Sequence, residues 1–342
     1  MSNSWEKLSP THYTTSERFK EKASQREMAL QDMGSQKTEA QFKAEPPRRS
    51  LDKLIVSEVT RTQILSMVAK IHHHQKLYRE WNLQSLDPYG GRTAINLYGP
   101  PGTGKSFCAE AIAAELKKDI IRVNYAELES KYVGETSKNI TAAFASAKAA
   151  NAVLFFDEAD SILGRRLTNV TQSADYSVNI SRSVMLLELD RFGGTTIFAT
   201  NLFRNYDSAF IRRILGHIEM PLPDLDCRRR LWELHLLPTI PGAQMLDPLY
   251  LAEQSEGLAG GDILNVVILA ASNAVVRPED QHILTLKDVT DALSITRKAR
   301  DESGQEPVHP ARTVTTTEVP VTQAPPEIQQ AAQERENAVS EA

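Results

Sequence analysis

Leu97–Ser106 reads LYGPPGTGKS, and the reading of the whole chain turns on it. The run fits G-x-x-x-x-G-K-[ST]. An apolar stretch, AINLY (Ala94–Tyr98), leads into it, and Ala109, Ile112, Ala113 and Leu116 follow at helical spacing. A strand, a glycine-rich turn and a helix are the context in which this pattern has physical meaning. Gly99, Gly102 and Gly104 allow backbone conformations that aim successive N–H groups inward, and the following helix turns its positive end toward the same point. Such a cradle holds a polyphosphate. Lys105 would neutralise phosphate oxygens and the Ser106 hydroxyl would ligate Mg²⁺. Gly99, Pro100, Pro101, Gly102, Thr103, Gly104, Lys105, Ser106 and Phe107 together form the candidate nucleotide-holding segment, with ATP and Mg²⁺ as the expected ligands.

Outward from this loop the same alternation repeats. DIIRVNY (Asp119–Tyr125), AVLFFDEAD (Ala152–Asp160), TTIFATN (Thr195–Asn201) and HIEM (His217–Met220) are short apolar runs. Helical periods lie between them, such as Ile140, Ala143, Phe144 and Ala147. Near-continuous apolar strands separated by helices predict a parallel sheet covered on both faces. The prolines of PLPD (Pro221–Asp224) end the pattern, and Arg228–Arg300 reads as helices only, including DILNVVILAASNAVV (Asp262–Val276).

Ligands of an open parallel sheet bind outside the carboxyl ends of its strands. AVLFFDEAD ends there in acids. Asp157 is placed to bind Mg²⁺ and Glu158 to polarise an attacking water. TTIFATN ends there in Asn201, whose amide can bond both a γ-phosphate and that water.

With 342 residues the chain is long enough for two compact units and tails. Its net charge of −5 gives no general attraction to nucleic acid or anionic membrane, so neither is an expected partner. No apolar run is long enough to span a bilayer and the N-terminus lacks the apolar core of a secretory signal, which predicts a cytoplasmic protein. Cys108 and Cys227 fit no metal or redox spacing. Residues 1–50 are poor in large apolar side chains and read as a disordered tail, as does the Pro/Thr/Gln-rich 303–342. Residues 51–91 read as a helical extension, in which Ile64, Val68, Ile71 and Tyr78 suggest one helix from Val56 to Trp81. The large α/β unit is expected over 92–224 and a helical lid over 225–302. The HHH run, His72–His74, cannot converge on one metal from a helix, because successive side chains point about 100° apart.

Taken together, GPPGTGKS, FFDEAD, ATN and EGLAGGDI (Glu256–Ile263) resemble an AAA+ ATPase, and within that superfamily the AAA subfamily, as a single AAA module over about Leu97–Arg300. The resemblance implies a P-loop NTPase core, a five-stranded parallel sheet flanked by helices, followed by a small all-helical lid. It implies ATP hydrolysis and a homo-oligomeric ring, usually a hexamer. Gly260 and Gly261 would bring lid backbone close to the base. SKYVGE (Ser130–Glu135) is similar to the first pore loop, in which Tyr132 and Val133, beside Lys131, would grip an extended protein substrate. FIRRILGHIEM (Phe210–Met220) is similar to the segment whose arginines reach the neighbouring subunit's γ-phosphate, so Arg212 and Arg213 are candidate trans-acting groups. Ile214 and His217 depart from the family pattern there, and Arg191 in LDRF (Leu189–Phe192) stands where relatives carry glycine. The function implied is a motor that remodels, unfolds or disassembles proteins. The alternatives are a nucleic-acid-directed motor or loader, for which Lys131 is the one basic group on the loop, and a nucleotide-gated scaffold.

Overall fold

The computed structural model describes residues 42–87, 93–124, 128, 135–164, 173–201 and 206–302. Five strands form one parallel sheet: β1 (Thr93–Tyr98), β2 (Ile120–Asn124), β3 (Val153–Asp157), β4 (Thr195–Thr200) and β5 (Gly216–Glu219). Their order is β2-β3-β4-β1-β5. The loop-bearing strand β1 therefore sits between β4 and β5, with Ile95 level with Ile197 on one side and Gly216 on the other. The helices are α1 (Glu58–His72), α2 (Lys105–Glu115), α3 (Glu135–Ala149), α4 (Asp160–Leu163), α5 (Ser173–Arg191) and α6 (Ser208–Ile211).

Successive strand side chains point to opposite faces, so each strand feeds two cores. Phe156 and Phe198 stack on one face at 5.3 Å between ring centroids, near Phe144 of α3 and Phe192 at the end of α5. Phe155 and Ile197 face the other way, toward Ile112 of α2 and Ile64 and Val68 of α1. Both faces are buried, which is why most of the strands lack an exposed polar alternation.

Both sheet edges are covered. On the β2 side, Glu45 and Ile120 exchange backbone hydrogen bonds of 2.9 Å in each direction. Phe42, Leu51 and Leu54 are buried along the same stretch. Residues 42–50, which composition assigns to a tail, are thus packed against the module; a polar stretch with one well-placed aromatic and an open strand edge to pair with can order itself. On the β5 side, the Thr60 hydroxyl of α1 donates to Glu219 O at 3.2 Å. Helix α1 stops at His72, short of the Trp81 suggested by periodicity. A π-type turn, Lys76–Glu80, follows, and the His74 ring stacks on Tyr78 at 4.6 Å.

After β5 come α7 (Leu225–His235), α8 (Pro248–Gln254), α9 (Gly260–Val275) and α10 (Leu286–Glu302). They enclose their own core around Trp232, Leu251, Ile263, Val266 and Val289. Asp224 caps α7 by accepting from Cys227 N at 2.8 Å. The buried Arg228 donates to Pro223 O at 2.9 Å and Ala252 O at 2.8 Å, tying the proline segment to α8. The chain divides into two compact units after Arg300, and all of these elements but the last two residues of α10 belong to the first. Among the described residues no helix is long and apolar enough to cross a membrane.

Candidate nucleotide site

The glycines of the loop adopt φ values that other residues resist: 147° at Gly99, 77° at Gly102 and 93° at Gly104. At Gly99 space is equally restrictive, because a Cβ would lie 2.2 Å from Met220 O. The Lys105 ammonium turns back over the loop and donates to Gly99 O and Pro100 O, each at 2.8 Å. Burial pushes its pKa down from 10.5 to about 8, against the upward pull of the Asp157 and Asp160 carboxylates. This cation lies in a buried cradle whose nearest partners are backbone carbonyls.

At the carboxyl end of β3, Asp157 Oδ2 accepts from the Ser106 hydroxyl at 2.8 Å. The hydroxyl and carboxylate come from elements 51 residues apart in sequence. They offer the hard oxygen donors that Mg²⁺ prefers, so the donor set fits the ion that the sequence implies. Glu158 follows in a left-handed conformation, φ 53°, with its side chain exposed and its N–H donating to Asp157 Oδ1 at 3.0 Å. A non-glycine residue at this φ costs roughly 1–3 kcal/mol and is retained where surroundings over-determine it. At the end of β4, Asn201 N donates to both oxygens of Asp160, at 3.1 and 3.2 Å. The three strand ends thus converge, and the fourth residue of the acidic run, Asp160, is the group that links β4 to it.

The lid touches the loop through glycine. Gly261 N donates to Gly102 O at 3.0 Å, and a Cβ on Gly102 would stand 3.1 Å from the Ala259 Cβ. Asp262 holds this helix start, accepting from Ala259 N and from Arg300 Nη1, each at 2.8 Å. Gly260 lies at the same seam, its would-be Cβ 3.7 Å from Gly102 O. Arg212 and Arg213, just beyond α6, behave differently. Arg213 is clamped by Asp190, whereas the exposed Arg212 guanidinium makes no hydrogen bond or ion pair with the described residues. Lys131, Tyr132 and Val133 lie outside the described residues.

Residues 95–222 match the model of the ATPase family associated with various cellular activities (AAA). The chain carries an AAA ATPase module. The proteasome-activating nucleotidase of Aeropyrum pernix is 34% identical over 235 residues, covering 67% of this chain and 55% of that protein. That of Methanopyrus kandleri is 34% identical over 219 residues, 62% of this chain and 49% of the relative. The katanin p60 ATPase-containing subunit A1 of Strongylocentrotus purpuratus is 34% identical over 208 residues, 55% and 40%. The chain spans about half the length of the curated relatives it matches.

Several residues of the AAA module have little or no signature in the sequence. Asp160 is visible as the last letter of FFDEAD, but its bond to Asn201 N needs the β3–β4 pairing. Arg49 lies with its guanidinium 4.9 Å from the Phe107 ring centroid, beside the loop; no local pattern marks it. Glu110, buried on α2, accepts from Arg48 N and Arg122 and so fastens the 42–54 segment to the loop's own helix.

Proposed function

We propose that this AAA module hydrolyses ATP in the cytoplasm as part of a homo-oligomeric ring, of hexameric kind, that remodels, unfolds or disassembles protein substrates through an aromatic pore loop. The observation that carries the reading is the convergence of Lys105, Ser106, Asp157 and Asn201 at one end of the sheet, with Arg212 left facing outward. In this reading residues 92–224 are the ATPase unit and 225–302 its lid. Gly99–Phe107 hold the nucleotide's phosphate end, and Gly260 and Gly261 bring lid backbone close to the base. Ser106 and Asp157 would hold Mg²⁺, which supplies charge neutralisation to the phosphates when bound. Lys105 adds a second positive charge at the β/γ oxygens. Glu158 takes the proton of the attacking water, and Asn201 orients that water. Arg212, exposed and without a partner among the described residues, serves the adjoining subunit's site. Lys131, Tyr132 and Val133 would grip an extended polypeptide, mostly through apolar area. The names of the relatives, a nucleotidase and an ATPase subunit, support the nucleotide chemistry.

The test is a stalled ring. Glu158→Gln protein with ATP is expected to assemble and to retain a fluorescently labelled unfolded polypeptide. Adding Tyr132→Ala in that background should release the polypeptide and keep the ring. A Glu158→Gln protein that stays monomeric in ATP, or one that holds the polypeptide equally well after Tyr132→Ala, would overturn the reading. DNA stimulation of turnover in place of polypeptide retention would favour the nucleic-acid alternative.

A further inference from the structure

Inside the core beneath β1 and β4 lies a small polar cluster that the nucleotide chemistry does not use. Asn96, fully buried in the middle of β1, carries the one amide among the buried side chains of that strand. Its Oδ1 lies 3.2 Å from the Tyr206 hydroxyl. The same hydroxyl is hydrogen-bonded to the Thr200 hydroxyl, and Tyr206 is 4% exposed. A phenol has one proton. It can give that proton to the Asn96 oxygen, which has none, while Thr200 donates to the phenol oxygen. Asn96 Nδ2 finds no acceptor among the described residues. Such a network is costly to bury beside Phe198 and Phe210, where an apolar pair would pack more cheaply. Its position accounts for keeping it.

Thr200 is the last residue of β4 and precedes Asn201, whose N–H is held by Asp160. Asn96 is three residues before Gly99. Tyr206 precedes Asp207, which caps α6 by accepting from Ala209 N at 2.9 Å, and α6 delivers Arg212 and Arg213. A backbone bridge between Gly164 and Tyr206, with Asp207 N donating to Leu163 O at 3.0 Å, adds the end of α4, the helix that Asp160 begins. One buried hydroxyl therefore joins the strand feeding the phosphate loop, the strand end bearing the candidate water-orienting amide, and the start of the segment bearing the outward arginine.

We propose that Tyr206 is a positioning residue that sets Arg212 in register with its own chain's nucleotide site, so that the arginine offered to the adjoining subunit depends on the packing beneath Thr200 and Asn201. The inference rests on the proposed trans role of Arg212. Removing the hydroxyl should therefore weaken catalysis next door and leave nucleotide binding in its own protomer intact.

Tyr206→Phe keeps the ring and deletes the contact. The expected result is an ATP turnover number lowered at least about tenfold, with KM and the affinity for a fluorescent ATP analogue within about twofold of the parent. The decisive arm mixes subunits. Glu158→Gln subunits have a dead site but sound arginines, and mixing them with Tyr206→Phe subunits should restore turnover per Tyr206→Phe subunit toward the parent value. Arg212→Ala with Glu158→Gln is run in parallel. If Arg212→Ala is rescued by mixing and Tyr206→Phe is not, or if Tyr206→Phe turns over normally, the Tyr206 inference is wrong and shared sites stand. If neither is rescued, the trans reading of Arg212 fails and takes the inference with it. Should Tyr206→Phe not fold, because it strands Asn96 Oδ1, the Asn96→Leu/Tyr206→Phe pair removes the orphaned amide and faces the same criteria.

Discussion

Arg213 is held within its own chain by Asp190: Nε donates to both carboxylate oxygens at 3.0 Å and Nη2 to Oδ2 at 2.9 Å. Its neighbour Arg212 is exposed and makes no such bond among the described residues. Two adjacent arginines thus have different tasks, one bracing α5 against the segment after α6 and the other turned outward. Arg212→Ala is expected to lower ATP turnover by about a thousandfold or more, the worth of a trans-acting guanidinium, with the urea midpoint unmoved. Arg213→Ala should instead lower stability. The pair is about one-third exposed (30% and 34%), so the loss should be about 1 kcal/mol or less. Steady-state turnover and urea unfolding of the two variants separate these outcomes.

Gly99 bears both a φ of 147° and a neighbour that cannot yield, since the atom 2.2 Å from its would-be Cβ is backbone, Met220 O. Gly99→Ala must separate β1 from the segment after β5. A destabilisation of several kcal/mol is expected, in the range of strained-backbone and overpacking changes, together with loss of fluorescent-nucleotide binding. Wild-type unfolding behaviour for this variant would contradict the close approach.

Phe42 is 3% exposed although it stands at the start of a polar stretch. If the 42–54 segment covers the β2 edge in solution, Phe42→Ala should cost about 3–5 kcal/mol, as for other buried aromatic truncations. Amide hydrogen exchange at Ile120, which donates to Glu45 O, should accelerate in the same variant. No change in either measurement would mean that the edge is open.

His217 on β5 and His235 at the end of α7 both have their pKa pushed below the ordinary 6.5 by burial. The folded state then resists the proton that the unfolded chain accepts. Stability from these groups is complete above pH 6.5 and declines as pH falls from there toward their lower folded values. Urea midpoints at about pH 7.5 and about pH 5.5, on either side of the ordinary histidine value, should show the drop. His217→Gln should lessen it; an equal drop in that variant would remove His217 as a cause.

Much of this is legible in order along the chain. The five strands, the glycine turn and the helix behind it follow from short-range patterns: apolar runs, helical periods, and glycines where the backbone takes up positive φ. Asp157 and Asn201 can be placed at the site because both end apolar runs in a parallel sheet, whose strand ends share one side. Periodicity overreaches at α1 because Tyr78 continues the period, while the stacking of its ring on His74 belongs to a different turn. The order of 42–50 is invisible to composition, which counts apolar residues and cannot see an unpaired strand edge.

The chain's own letters are sufficient for the glycine-rich loop, the positions of the acids and amide near it, and the change from sheet to helices after Pro221, since each depends on residues within a turn or two. Which arginine is tied down, which acid bonds Asn201 N, and which hydroxyl joins Asn96 to Thr200 are matters for the folded molecule. Those partners lie 23, 41 and 110 residues apart in sequence, and a hydrogen bond is chosen by distance in space, which strand order and helix packing alone establish.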